Sequence, residues 1–230
     1  GSTYPLARGP ANPPKFLLNR KLPAPEKLQA LAETKAAVLV DVPNHAEVLA
    51  RENLRQGSPH RLRAFVGIGM AVSPLQEELI SHSFGAHVFS PYSSTEGGML
   101  GFQCATQRSN FHINCELVLL EIVGADDKPV RPGEAGRVII TPLFNAAQPL
   151  IRYEQGDIVV RGSSCSCGLT LPVLSKIQGR VDDMFHLPTG VASFANINET
   201  MIQKRLQAEA VQFAQVAMDH VVVRYVALVE

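Results

Sequence analysis

The chain has 230 residues, 46% of them apolar, and its 21 basic and 21 acidic side chains cancel. That length supports one sizeable core or two unequal ones, and the balanced charge offers no electrostatic footprint for nucleic acid or an anionic membrane. No apolar run reaches the ~20 residues of a membrane helix and no secretory signal is evident, so the expectation is a cytoplasmic protein without nucleic-acid or membrane partners.

Residues 1–24 hold five prolines and no sustained periodicity, which reads as an extended lead-in, with Gly1-Ser2-Thr3 as an expression remnant. Helix and strand patterns then alternate over residues 25–98. Leu28, Leu31 and Ala32 mark one helix face, and Ala37–Val42 is a buried-strand run. A second helix is predicted from His45 to Gln56, stopped by Gly57, and Arg63–Gly69 is the next strand. Ser73 and Pro74 open a third helix as N-cap and first residue, with Glu77 and Glu78 in its first turn and Gly85 just past its end. A strand at His87–Phe89 follows. Repeated strand–helix units predict a parallel sheet covered on both faces, with ligands at the carboxyl ends of its strands.

Residues 99–178 read as a β-rich subdomain, a small antiparallel barrel or sheet. Its predicted strands are Glu116–Val123, Arg137–Thr141 and Asp157–Val160, separated by turn-forming Asp126–Pro129 and Arg131–Glu134. Over residues 179–230 the pattern becomes that of a smaller α+β domain. It comprises a strand at Met184–Leu187, a helix near Asn198–Ala208, and strands Val211–Met218 and His220–Val229 with Asp219-His220 at their turn. The fold class is therefore α/β: a parallel α/β subdomain, a small antiparallel β subdomain and the start of an α+β C-terminal domain, with Gly179–Asp183 as the joint.

Three polar phrases carry chemistry: Tyr92-Ser93-Ser94-Thr95-Glu96-Gly97-Gly98, then Arg152-Tyr153-Glu154-Gln155-Gly156-Asp157, then Gly179-Arg180-Val181-Asp182-Asp183. Ser94 and Thr95 can donate to a phosphate, and Glu96 can hold Mg²⁺ against it. A rigidly held Asp157 can accept both hydroxyls of a ribose, and Arg180 can pair with ribose or phosphate oxygens. Taken singly, the first two phrases read rather as ordinary turns, and the third reads equally as a surface turn. The four cysteines, Cys104, Cys115, Cys165 and Cys167, are clustered. In a reducing compartment that favours metal over disulfides. Cys165-x-Cys167 with Cys104 and His112 would make a closed Cys₃His zinc site. The competing reading is four reduced thiols, some of them simply buried. His45, His60, His82, His87 and His220 sit in no ligand pattern.

Together the three phrases resemble motifs of the adenylate-forming superfamily, which includes acyl-CoA synthetases, luciferases and peptide-synthetase adenylation domains. Gly133–Val138, Thr141-Pro142-Leu143, Gln148–Tyr153 and Cys165-Ser166-Cys167-Gly168 are similar to its phenylacetate–CoA ligase and coenzyme F390 synthetase branch. The resemblance covers roughly residues 60 to 225. It implies ATP-dependent activation of a small carboxylic acid as acyl-AMP, then transfer to CoA or another thiol. It assigns Thr95 to the α-phosphate, Glu96 to Mg²⁺, Asp157 to the ribose hydroxyls, and Arg180 to ribose or phosphate. Tyr92 and Ser93 would border adenine or the acyl carbonyl, and Asp182 would be the hinge. Gly67-Ile68-Gly69 is similar to a strand end beside the nucleotide pocket. The resemblance also favours Cys104, His112, Cys165 and Cys167 over a set using Cys115, and a homodimer.

Two elements of the family pattern have no counterpart here: a glycine-rich phosphate loop upstream of the first phrase, and a late catalytic lysine. Lys204 lies on a predicted helix and does not match that lysine. The chain is accordingly expected to be a truncated form. Where the family has Arg-Thr, this chain has Glu154-Gln155. The alternative to an active ligase is a catalytically incomplete AMP- or ATP-binding module, or a zinc-stabilised scaffold.

Overall fold

The computed structural model describes residues 3–5, 16–194 and 199–227. The predicted Asn198 helix start and Val229 strand end lie outside them. The chain forms two compact units, Gly1–Gln103 and Cys104–Glu230.

In the first unit β1 (Thr3–Pro5) pairs antiparallel with β2 (Phe16–Leu18). Then follow α1 (Ala24–Glu33), β3 (Val38–Asp41), α2 (Pro43–Arg55), β4 (Ala64–Gly67), α3 (Pro74–Phe84) and β5 (His87–Phe89). A hairpin of β6 (Tyr92–Ser94) and β7 (Gly98–Gln103) completes it. Helix α3 begins as its sequence dictates. Ser73 Oγ accepts the Gln76 N–H at 3.3 Å, Gln76 Oε1 accepts the Ser73 N–H at 3.1 Å, and Gly85 ends the helix at φ +66°.

Strands β3, β4 and β5 are parallel and lie in that order. Crossovers that follow the general right-handed rule and step the same way would place both connecting helices on one face, and residues of α1, α2 and α3 do share one core cluster. That face is the core: Leu39, Phe65 and Val88 pack with Leu28 and Leu31 of α1, Leu49 of α2, and Ile80 and Phe84 of α3. The other face carries exposed Val38 and Val40. The two-sided covering expected from the sequence is therefore one-sided within this unit, because the strand order never reverses.

A polar knot seals the core edge. Asn53, fully buried, donates Nδ2 to the carbonyls of His60 (3.1 Å) and Ser83 (3.0 Å), and its Oδ1 accepts the His60 N–H at 3.1 Å. Asn53→Leu would strand three backbone groups in an apolar setting and is expected to cost about 2–3 kcal/mol, read as a lower urea midpoint at unchanged slope.

The second unit is built on β8 (Phe111–Ile113), β9 (Val118–Val123), β10 (Ala135–Pro142), β11 (Tyr153–Arg161) and β12 (Val173–Arg180). They run β8-β12-β11-β10-β9, all antiparallel, as an open sheet rather than a closed barrel among the described residues. A 3₁₀ turn, Val181–Asp183, leads to the short pair β13 (Phe185–His186) and β14 (Ala192–Ser193). After α4 (Glu199–Leu206) comes the hairpin β15 (Ala208–Ala217) with β16 (His220–Ala227). Helix α4 stops short of the predicted Ala208 because Gln207 turns left-handed at φ +47° and starts the strand. The hairpin turn is Met218-Asp219, since His220 already pairs with Ala217. No helix among the described residues is long and apolar enough to cross a membrane.

Candidate functional site

All four predicted metal-binding residues, three cysteines and one histidine, converge in the second unit. Ligand atoms of Cys104, His112, Cys165 and Cys167 all lie within 4.8 Å of one another. Cys104 Sγ is 3.5 Å from Cys165 Sγ, and Cys167 Sγ is 3.3 Å from His112 Nε2. His112 is brought there by β8, which pairs with β12 only at His112–Val173 and Phe111–Leu174. The two remaining thiols come from the loop joining β11 to β12. Cys115 is exposed and stands outside the cluster.

The surrounding groups prepare one of these sulfurs, that of Cys104, for a cation. Hydrogen bonds from Thr106 and from the Gln107 N–H, the latter at 3.3 Å, hold the Cys104 thiol down at about 5 from its usual 9.0. It is therefore a thiolate at neutral pH. The Leu169 N–H acts to lower Cys167, but burial and the neighbouring thiols outweigh it and push that thiol up. Three sulfurs and an imidazole within one coordination radius suit tetrahedral zinc. With bonds of about 2.3 Å, sulfurs sharing an ion stand about 3.8 Å apart, close to the 3.5 Å between Cys104 and Cys165. The residues present fit the metal.

At the other end of the same strand pair sits the second cluster. Asp157 of β11 is directly opposite Arg180 of β12. Arg180 Nη1 lies 3.6 Å from Asp157 Oδ1, and Arg180 Nη2 donates to the Gln155 carbonyl at 3.2 Å. The carboxylate is nearly buried, with its side chain 11% exposed, while the guanidinium is 54% exposed. An anchored acid beneath an accessible cation can present oxygen acceptors and positive charge side by side. Asp182 lies two residues on, exposed in the 3₁₀ turn.

In the first unit Tyr92–Gly98 forms the tip of the β6–β7 hairpin. Ser94 pairs with Gly98, and Ser94 Oγ accepts the Gly97 N–H at 2.9 Å, so Ser94 shapes the turn. Ser93 and Thr95 are exposed, Glu96 is half-buried and Tyr92 is buried. Gly67 closes β4, and Gly69 follows at φ +78°.

The chain is 28% identical to phenylacetate–coenzyme A ligase of Thermus thermophilus over 166 residues, 69% of this chain and 37% of that protein. The Pseudomonas putida phenylacetate–coenzyme A ligase is 25% identical over 190 residues, 79% of this chain and 41% of that protein. The chain is thus similar to phenylacetate–coenzyme A ligases over most of its length. The structure of 2-hydroxyisobutyryl-CoA ligase, in the postadenylation state with R3-HIB-AMP, superposes with a TM-score of 0.73. It is 22% identical, matching 88% of this chain and 45% of the other, and it shows the shared fold. No family model matches the chain. The chain spans about two fifths of the length of the curated relatives it matches, 37% and 41%.

The departure at Glu154 from the pattern of the family that the chain resembles has a local explanation. Arg137 on β10 reaches Glu154 Oε1 at 2.6 Å and also pairs with Asp127. Glu154 first, then Asp127, pushes the guanidinium of Arg137 further up. The added carboxylate is thus answered on the sheet surface by Arg137 rather than left beside the buried Asp157. Gln155 contributes through its carbonyl, and Gly156 through the absence of a side chain. Sequence reasoning missed both, although a glycine just before the acid was the available signal.

Proposed function

We propose that this chain carries nucleotide-handling residues of an acid–CoA ligase. A small carboxylic acid, an aryl acid such as phenylacetate in the first instance, attacks the α-phosphorus of ATP. Pyrophosphate leaves and acyl-AMP forms. The sulfur of CoA then attacks the acyl carbonyl, and AMP departs. The observation that supports this reading best is the opposed Asp157–Arg180 pair, a buried acceptor beside an exposed cation, in a chain related to phenylacetate–CoA ligases.

In this reading Asp157 accepts the ribose hydroxyls and Arg180 meets ribose or phosphate oxygens. Thr95 donates to the α-phosphate, Glu96 holds Mg²⁺, Tyr92, Ser93 and Ser94 border the nucleotide, and Asp182 serves as the hinge. The chemistry asked of these side chains is positioning and charge neutralisation. Cys104, His112, Cys165 and Cys167 bind a structural zinc ion that fastens β8 and the β11–β12 loop. A cytoplasmic homodimer belongs to the same proposal.

ATP–pyrophosphate exchange across a panel of small carboxylic acids tests the reading. Exchange with at least one acid is expected, lowered about 10²–10³-fold by Glu96→Gln, the scale of losing one preorganised electrostatic contact. AMP binding by calorimetry with no exchange for any acid would instead mark a nucleotide-binding module.

A further inference from the structure

The Asp157–Arg180 pair depends on the residue between Gln155 and Asp157. Gly156 stands at φ +78°, and a Cβ placed on it would lie 3.1 Å from Arg180 Nη2 and 3.9 Å from its Cζ. Arg180 lies across β11 at that spot, holding the Gln155 carbonyl on one side and facing the Asp157 carboxylate on the other. The guanidinium thus occupies the place a side chain at 156 would take. Because Asp157 and Arg180 are cross-strand partners, a shift of either displaces the other.

We propose that Gly156 is a positioning residue for ribose recognition. The missing side chain lets Arg180 bridge residues 155 and 157, and that bridge fixes the orientation in which the Asp157 carboxylate meets the two hydroxyls. This rests on the reading of Asp157 as the ribose acceptor. A side chain at 156 acts twice: it strains a left-handed residue and lifts the guanidinium off the Gln155 carbonyl. The lesion reaches the nucleotide only through the carboxylate, so its signature is lost discrimination between ribose and a sugar without hydroxyls.

The test measures AMP and 2′,3′-dideoxy-AMP affinities by calorimetry on the same preparations. The unmodified protein is expected to favour AMP by about 10²-fold or more, since a ligand without the two hydroxyls forgoes two charged hydrogen bonds worth about 1.5–3 kcal/mol each. Asp157→Asn should bring that ratio close to one, and Gly156→Ala should cut it at least about tenfold, with circular dichroism unchanged. If Gly156→Ala does not fold, Gly156→Asn decides, because Asn tolerates the left-handed region while still placing a Cβ against Arg180. Arg180→Lys, which keeps the charge but loses the planar fork, should fall between. A folded Gly156 variant with the full ratio overturns the proposal. A ratio near one in the unmodified protein, or an undiminished ratio in Asp157→Asn, overturns the underlying ribose assignment and this proposal with it.

Discussion

Purified protein is expected to contain about one zinc ion per chain, and removing it with a strong chelator should lower the melting temperature by about 10 °C or more. For a chain of this size each kcal/mol moves the midpoint by about 2–4 °C, and a structural metal contributes its binding energy to folding. The expectation follows from what holds β8 in place. Its ladder to β12 is only two residue pairs long, and the segment from Cys104 to Asn110 is a turn-rich loop. Without the cation, three mutually close sulfurs face one another, and only hydrogen bonds compensate the charge on Cys104. Cys167→Ser and His112→Ala should each abolish stoichiometric zinc by elemental analysis. Cys115→Ser, an exposed thiol outside the cluster, should leave both zinc content and melting unchanged. Metal-free protein that melts no lower than the metal-loaded form would remove zinc from the account of this fold.

The local elements were the most legible part of the chain. The Ser73-Pro74 opening and Gly85 stop of α3 are short-range signals, because capping and left-handed termination involve neighbours in sequence. Strand β12 was not legible: Val173-Leu174-Ser175-Lys176-Ile177-Gln178 mixes buried and polar positions, and its bulged pairing with β11 breaks the period. The one-sided covering of β3–β5 is a matter of strand order, which the Ala37–Val42 run does not encode. For the site, the phrases bearing Asp157 and Arg180 were separately visible. Their direct opposition is a fact of cross-strand register, set by pairing rather than by either segment alone. The cysteine cluster was legible because thiols are few and their chemistry is specific. Its use of His112 required β8 to be placed beside β12.

Asp157→Ala should cost the protein most of its nucleotide affinity while leaving its folding stability nearly untouched. The two effects separate on magnitude. Arg180 is more than half exposed and stands 3.6 Å from the carboxylate, so the pair contributes at most about 1 kcal/mol to stability. The same carboxylate accepting two ribose hydroxyls makes two charged hydrogen bonds worth about 1.5–3 kcal/mol each, which corresponds to an AMP affinity loss of roughly 10²-fold or more. A melting temperature within about 3 °C of the parent, together with AMP binding weakened by that factor, is the expected outcome. Arg180→Ala should weaken binding too, and the double variant should be markedly less than additive if Arg180 acts in part by holding Asp157. Strict additivity would mean that the guanidinium serves the nucleotide independently. Equal losses of stability and affinity in Asp157→Ala would mean that the carboxylate is a structural anchor of β11 and that ribose binding lies elsewhere.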